Sequence, residues 1–139
     1  MKKTSLILAI LVSLFALNMH AQNGGTATET MKPTSIGIVI YSSDVETVWN
    51  AVRFANFSKN QGDTVSIFLL GKGVELDNLV TTDNDIKEQA DAFLAGGGTI
   101  LGCGTCLQSR NMDEPQVCKF STMKDLYEIV RKNKIVMTF

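Results

Sequence analysis

The stretch Thr99–Arg110, TILGCGTCLQSR, contains the transition that decides the fold of this 139-residue chain. Its first four residues are typical of the end of a buried strand, and a short helix-like run follows. Two cysteines, Cys103 and Cys106, lie at C-x-x-C spacing where the strand gives way to the helix. In an α/β protein, ligand-binding and catalytic residues lie at the carboxyl ends of the parallel strands. We call Cys103–Cys106 the thiol turn.

Three further segments have the composition of strands that are buried on both faces. Ser35–Tyr41 is rich in β-branched residues, Thr64–Leu70 reads TVSIFLL, and Lys134–Phe139 reads KIVMTF. Nearly continuous apolar runs of this kind are typical of parallel sheets. With Thr99–Gly102, the sequence therefore predicts four strands.

Segments with the apolar periodicity of helices lie between these strands. Ser43–Glu46 has capping-box form and predicts a helix with Val45, Val48, Trp49, Val52 and Ala55 on its inner face, ending near Gly62. A second helix is predicted from Asp83 to Ala95, and a last one over Met123–Lys132, capped by Ser121 or Thr122. Alternating strands and helices indicate an α/β fold with a mainly parallel sheet and helices on both faces.

A glycine-bearing loop, Gly71–Glu75, follows the second strand. It lacks the spacing of a phosphate-binding P-loop, so we interpret it as a turn that needs a positive φ at glycine. Because it follows a parallel strand, we expect it at the same edge of the sheet as Cys103.

The N-terminus predicts a secretory signal peptide over residues 1–21. Lys2 and Lys3 precede an apolar run of signal-peptide length, and Ala21 offers a small residue at the cleavage site. Residues 22–34 are polar and are expected to form a flexible leader, followed by one domain over residues 35–139. We therefore expect an exported protein, periplasmic or extracellular, with no stable membrane anchor after cleavage.

Charge and histidine content exclude several classes of function. Once Lys2 and Lys3 are removed with the signal, the chain has 11 basic and 14 acidic residues. This charge balance does not indicate a nucleic-acid-binding surface. The single histidine, His20, lies within the predicted signal. The mature protein is therefore expected to lack imidazole, which excludes Ser-His-Asp and Cys-His catalysis and His-ligated metal sites.

The thiol turn is the strongest candidate for chemistry. A cysteine reacts as its thiolate, and a helix N-terminus lowers a thiol pKa, so we expect a lowered pKa for Cys103. Gly104 and Thr105 leave backbone N–H groups accessible to a substrate, and Arg110 is placed to favour anionic sulfur. Cys106, one turn on, is expected to attack a mixed disulfide or persulfide.

Several features in this order resemble the DsrE/DsrF-like family: the Ile38–Ile40 strand, the Gly71–Glu75 loop, Cys103 followed by Arg110 seven residues later, and the terminal Val136–Phe139 strand. The resemblance covers about residues 36–139. It implies a compact three-layer α/β/α domain, assembly as a homo-oligomer (trimer or hexamer), and a sulfur-relay role in which Cys103 carries a persulfide between a donor and an acceptor protein. Cys106 has no counterpart role in that resemblance.

The residues leave four functions open. The first is a sulfur carrier or sulfurtransferase using Cys103, with Cys106 or Cys118 as the resolving thiol. The second is a thiol–disulfide redox protein cycling Cys103 and Cys106, although no aromatic precedes the pair and no proline lies within it. The third is a Cys-only metal site, one ligand short of a closed zinc site. The fourth is a non-enzymatic oligomeric binding protein. We expect no cofactor and no bound metal.

Overall fold

The structure, a computed structural model, describes residues 31–139, and residues 32–139 form one compact unit. The predicted signal peptide and most of the predicted leader lie outside the described residues. Within the described residues, five strands and five α-helices follow one another in the order β1 (Ser35–Ile40), α1 (Val45–Asn60), β2 (Thr64–Leu69), α2 (Leu76–Thr82), α3 (Asn84–Ala95), β3 (Thr99–Cys103), α4 (Gly104–Gln108), β4 (Lys119–Ser121), α5 (Met123–Lys132) and β5 (Ile135–Thr138). A 3-10 helix, Gly71–Glu75, joins β2 to α2.

The strands form one sheet in the order β4-β3-β2-β1-β5, and every pairing is parallel. The α/β fold with a mainly parallel sheet is thus confirmed. The apolar side chains of β1 and β2 are almost wholly buried, which explains why their sequences lack the alternation of a half-exposed strand. Within residues 31–139, no helix is long and apolar enough to cross a membrane.

Helices cover both faces of the sheet. A side chain at Gly37 would meet Ile129 of α5, so odd-numbered residues of β1 face α5. The even-numbered residues Ile36, Ile38 and Ile40 face the other way, toward the buried residues of α1. The helix α3 packs beside α1 and buries Ile86, Ala90 and Phe93.

The start of α1 differs by one residue from the capping-box prediction. Asp44, not Ser43, caps the helix, and its carboxylate accepts a hydrogen bond from Thr47 N at 2.9 Å. The predicted inner face is also partly wrong, because Val45 is exposed. Trp49 is only partly buried and lies under the guanidinium of Arg53. The predicted end is confirmed, since Gly62 adopts φ +93°.

Two elements were absent from the sequence prediction. The helix α2 and the short edge strand β4 fall in segments to which the sequence assigns neither a helix nor a strand. β4 extends the sheet beside β3 and is stabilised by Ser121 Oγ, which donates to Gly102 O at 2.9 Å. Thr122, one of the two predicted caps, is the N-cap of α5, and it forms a capping box with Asp125.

Candidate functional site

The thiol turn lies at the carboxyl edge of the sheet, where β3 ends at Cys103 and α4 begins at Gly104. Cys103 and Cys106 are both free thiols, and a hydrogen bond joins their sulfur atoms across 2.8 Å. This separation is longer than the disulfide bond of about 2.05 Å but is direct sulfur–sulfur contact. One sulfur can therefore attack a group carried by the other without movement of the backbone.

The two thiols differ in access to solvent. Cys103 is only 4% exposed and belongs to the apolar core, whereas Cys106 is partly exposed. Burial is the main reason why the pKa of the Cys103 thiol is raised, and the hydrogen bond with the Cys106 thiol adds to it. Backbone N–H groups of Cys106 and Thr105 oppose this shift without overcoming it. The expectation of a lowered pKa for Cys103 is therefore wrong.

The Gly71–Glu75 turn supplies the second wall of the site. Gly71 N–H donates a hydrogen bond to Cys106 Sγ at 3.3 Å. The expected positive φ is present, because Gly71 adopts φ +57°. The prediction that this turn shares the edge of the sheet with the thiols is confirmed.

Gly73 fixes the position of this turn. A Cβ at Gly73 would lie 1.9 Å from the carbonyl oxygen of Ile40, so only glycine lets the turn pack against the end of β1. The Gly73 N–H donates to Leu70 O at 2.9 Å, and Leu70 N–H donates to Ile40 O at the same distance. The turn is therefore held by the ends of two strands.

Arg110 is part of the site, but it does not contact sulfur. Its Nε lies 3.0 Å from Glu75 Oε1, and its Nη1 donates to the carbonyl oxygen of Cys106 at 3.0 Å. A third hydrogen bond goes to Ser109 Oγ. Arg110 therefore ties the thiol helix α4 to the Gly71–Glu75 turn, a role that the sequence did not indicate.

Gly104 and Thr105 border an open groove of about 330 Å³ beside the start of α4. The other lining residues are Gln108, Phe120, Ser121, Thr122 and Met123. A Cβ at Gly104 would lie 3.2 Å from Ser121 O, so the glycine lets β4 pack closely against the turn. Phe120 and Met123 give the groove an exposed apolar rim.

Cys118 is not part of the thiol pair. A Cβ added to Gly102 would lie 2.7 Å from Cys118 Sγ, and Leu107 packs beside the same position. Successive strand residues point to opposite faces, so Gly102 and Cys103 diverge. Burial, with the carboxylate of Asp77 as a second cause, raises the pKa of Cys118 to about 12.

Asp77 is a buried carboxylate that sequence reasoning did not single out. It accepts hydrogen bonds from Gln116 N at 2.9 and 2.8 Å and from Val117 N at 2.8 Å. These bonds anchor the long loop between α4 and β4. Within residues 31–139, no three cysteine, histidine or acidic side chains form a group suited to a metal ion.

Comparison with known proteins supports the fold. A sequence model of the DsrE/DsrF-like family matches residues 34–139. An uncharacterised protein of Methanopyrus kandleri is 27% identical over an alignment of 100 residues, and the match covers 68% of this chain and 83% of that protein.

Two solved structures have a similar fold. The ychN protein of Escherichia coli superposes with a TM-score of 0.65 at 16% identity, covering 78% of this chain and 100% of that one. A conserved protein of unknown function from Bacteroides thetaiotaomicron gives a TM-score of 0.64 at 22% identity, covering 76% and 95%.

Proposed function

Because the chain belongs to the DsrE/DsrF-like family, which is generally related to sulfur relay, we propose that its thiol turn carries sulfane sulfur as a protein persulfide. The donor supplies sulfur in the zero-valent state, and a cysteine thiolate accepts it as Cys–S–SH. Sulfur then passes to an acceptor thiol. No cofactor is required, since the chemistry is thiol exchange throughout.

The observation that carries this proposal is the surroundings of Cys106 Sγ. Cys106 is partly exposed, and its Sγ accepts a hydrogen bond from Gly71 N–H and contacts Cys103 Sγ at 2.8 Å. The Gly71 N–H is therefore placed to donate a hydrogen bond to sulfur that Cys106 carries. The groove beside Gly104 and Thr105 lies at the same edge of the sheet and offers a surface on which a donor or acceptor protein can bind.

Mass spectrometry tests the proposal. The reduced protein is treated with glutathione persulfide, and the transferred sulfur should either remain on the thiol turn, where it raises the intact mass by about 32 Da (one sulfur atom), or leave as sulfide. A Cys103→Ser/Cys106→Ser double variant should take up no sulfur. A Cys118→Ser variant is the matched control and should load like the wild type. If the protein neither gains a sulfur adduct nor releases sulfide, with this donor and with inorganic polysulfide, sulfur transfer is contradicted.

A second candidate function is thiol–disulfide exchange by the same pair. The contact between Cys103 Sγ and Cys106 Sγ favours it, because oxidation needs little rearrangement. The reduction potential decides between a redox pair and a structural bridge. A structural disulfide has a potential below about −300 mV, whereas a redox-active pair lies above it.

Export and self-assembly complete the proposal. Export rests on the sequence of residues 1–21, and N-terminal sequencing of protein from its native compartment tests the cleavage after Ala21. A homo-oligomer is supported by exposed apolar side chains that lie on β4 and α5, namely Phe120, Met123, Tyr127 and Val130. Light scattering during size-exclusion chromatography distinguishes a monomer from a trimer or hexamer.

A further inference from the structure

We propose that Cys106 accepts the sulfane sulfur and that Cys103 then releases it as hydrogen sulfide, so that the thiol turn reduces persulfides as well as carrying them. This inference rests on the proposed function, because it requires that sulfur first be loaded on the pair. It differs from the role implied by the family resemblance, in which Cys103 is the carrier. It also gives Cys106 a defined part in the reaction.

Access and hydrogen bonding select Cys106 as the accepting thiol. A donor persulfide must reach the attacking sulfur, and Cys103 is 4% exposed whereas Cys106 is partly exposed. Only Cys106 Sγ has the Gly71 N–H directed at it, at 3.3 Å, among the described thiols. Burial raises the pKa of Cys103, which keeps that thiol protonated while Cys106 reacts.

The position of Cys103 suits it to attack a persulfide on Cys106. Its sulfur lies 2.8 Å from Cys106 Sγ, which becomes the inner sulfur of the persulfide once Cys106 is loaded. Because Cys103 is buried, electrophiles in solution do not reach its sulfur. The persulfide on Cys106 is therefore the electrophile that Cys103 can attack. Cys118 cannot substitute readily, because it packs on the Gly102 side of β3 and is itself 6% exposed.

The Arg110–Glu75 pair maintains this arrangement. Arg110 joins the Cys106 carbonyl to Glu75, and Glu75 ends the turn whose first residue, Gly71, donates to Cys106 Sγ. The Arg110–Glu75 pair therefore holds the Gly71 N–H group within hydrogen-bonding distance of the Cys106 sulfur. Arg110 is a positioning residue in this scheme, since its guanidinium contacts the carbonyl oxygen and not the sulfur.

The reaction balances in two steps. The Cys106 thiolate attacks the outer sulfur of a persulfide R–S–SH, the donor S–S bond breaks, and R–SH leaves after taking up a proton. Cys103 then attacks Cys106 Sγ, a Cys103–Cys106 disulfide forms, and the outer sulfur departs as HS⁻ or, with the Cys103 proton, as H₂S. The two thiols supply two electrons that reduce zero-valent sulfur to sulfide. An external dithiol, such as dithiothreitol, restores the pair by thiol–disulfide exchange.

Single-turnover measurements on the full protein test this inference. Reduced protein in excess is mixed with glutathione persulfide, and sulfide is trapped with monobromobimane while the protein is mapped by mass spectrometry. Wild-type protein should release about one sulfide per donor molecule consumed and form the Cys103–Cys106 disulfide. Cys103→Ser should retain the sulfur on Cys106 and release less than about a tenth as much sulfide. Cys118→Ser should match the wild type, and circular dichroism should confirm that each variant is folded.

The outcomes separate this inference from the function on which it rests. A stable persulfide on wild-type protein, without sulfide or disulfide, would overturn the inference and leave the carrier function intact. Undiminished sulfide release by Cys103→Ser would also overturn it. So would loading of Cys103 in Cys106→Ser together with no loading of Cys103→Ser, since that result reverses the two roles. Failure of every variant to take up or release sulfur would contradict the carrier function itself.

Discussion

Arg110 forms an ion pair with Glu75, 35 residues away in the chain, with 3.0 Å between Nε and Oε1. The two side chains are 29% and 31% exposed, so the pair lies between the surface and the interior. It connects the helix that bears Cys106 to the turn that donates a hydrogen bond to the same cysteine. The site is therefore formed by two segments that follow the neighbouring strands β2 and β3.

A double-mutant cycle measures this pair. Arg110→Ala and Glu75→Ala should show a coupling energy of about 0.2–1 kcal/mol in urea unfolding, because solvent screens a partly exposed ion pair. Both single variants should also slow alkylation of Cys106 more than the exposed-pair control Lys87→Ala, which removes the i,i+4 ion pair of Lys87 with Asp91. Equal alkylation rates in all three variants would exclude a positioning role for Arg110.

Thiol reactivity should follow the order Cys106, Cys103, Cys118. Cys106 is accessible, Cys103 is buried with a raised pKa, and Cys118 is buried with a pKa of about 12. Alkylation of native protein with limiting iodoacetamide at pH 7.5, followed by peptide mapping, should label Cys106 at least about tenfold faster than Cys118. Unfolding in urea should abolish the order, and faster labelling of Cys103 than of Cys106 would contradict the assignment of roles.

The stability of the protein should fall at alkaline pH through Cys118. Its pKa rises from an ordinary 9.0 to about 12 in the folded protein, so between these pH values the unfolded chain loses the proton while the folded chain keeps it. The folded state then binds more protons, and the free energy of unfolding decreases as pH rises. Urea titrations from pH 8 to 11 should give a shallower decrease for Cys118→Ala than for the wild type. Parallel pH profiles would show that Cys118 does not contribute.

Gly73 should tolerate no side chain. In Gly73→Ala the new Cβ would overlap the carbonyl of Ile40, and we expect a loss of about 2–4 kcal/mol in the free energy of unfolding. Gly97→Ala is the matched control. Gly97 adopts φ +79° with no atom near its Cβ position, so only the cost of the left-handed conformation, about 1–2 kcal/mol, applies. Chemical denaturation compares the two, and equal losses would rule out the steric explanation.

Asp77→Ala should loosen the loop between α4 and β4. The substitution leaves the N–H groups of Gln116 and Val117 without their carboxylate acceptor, at a cost of about 2–3 kcal/mol. Hydrogen exchange of residues 111–118 should accelerate, and Cys118 should become easier to alkylate. Asp91→Ala, which removes only an exposed i,i+4 partner, should cost less than about 0.5 kcal/mol. Unchanged exchange in Asp77→Ala would refute the anchoring role.

The sequence predicts the buried strands well because burial on both faces leaves a local signal in their composition. It fails for α2, which begins at Leu76 directly after the 3-10 turn and has no side-chain hydrogen bond at its N-cap. Without a capping residue or a long periodic run, nothing local marks this helix. β4 was missed for a related reason, since three residues at the edge of a sheet carry too little pattern.

The candidate site was predictable only in part. C-x-x-C spacing at a strand-to-helix transition predicted the proximity of Cys103 and Cys106, and the parallel topology predicted the approach of the Gly71–Glu75 turn. The contacts of Glu75 with Arg110 and of Asp77 with Val117 join residues 35 and 40 positions apart, and no spacing rule encodes them. The raised pKa of Cys103 was also hidden, because it depends on burial that only the packed core determines.

The pairing of β1 with β5 has a consequence for the order of folding. Ile36 pairs with Ile135, almost a hundred residues later, so one side of the apolar strand β1 is completed only when the end of the chain is available. Such distant pairings slow folding, because a long segment must be closed before the contact forms. During synthesis or after C-terminal truncation, Ile36–Ile40 presents an unpaired apolar edge that is prone to self-association. β5 thus covers one edge of β1 and itself becomes the edge strand of the sheet.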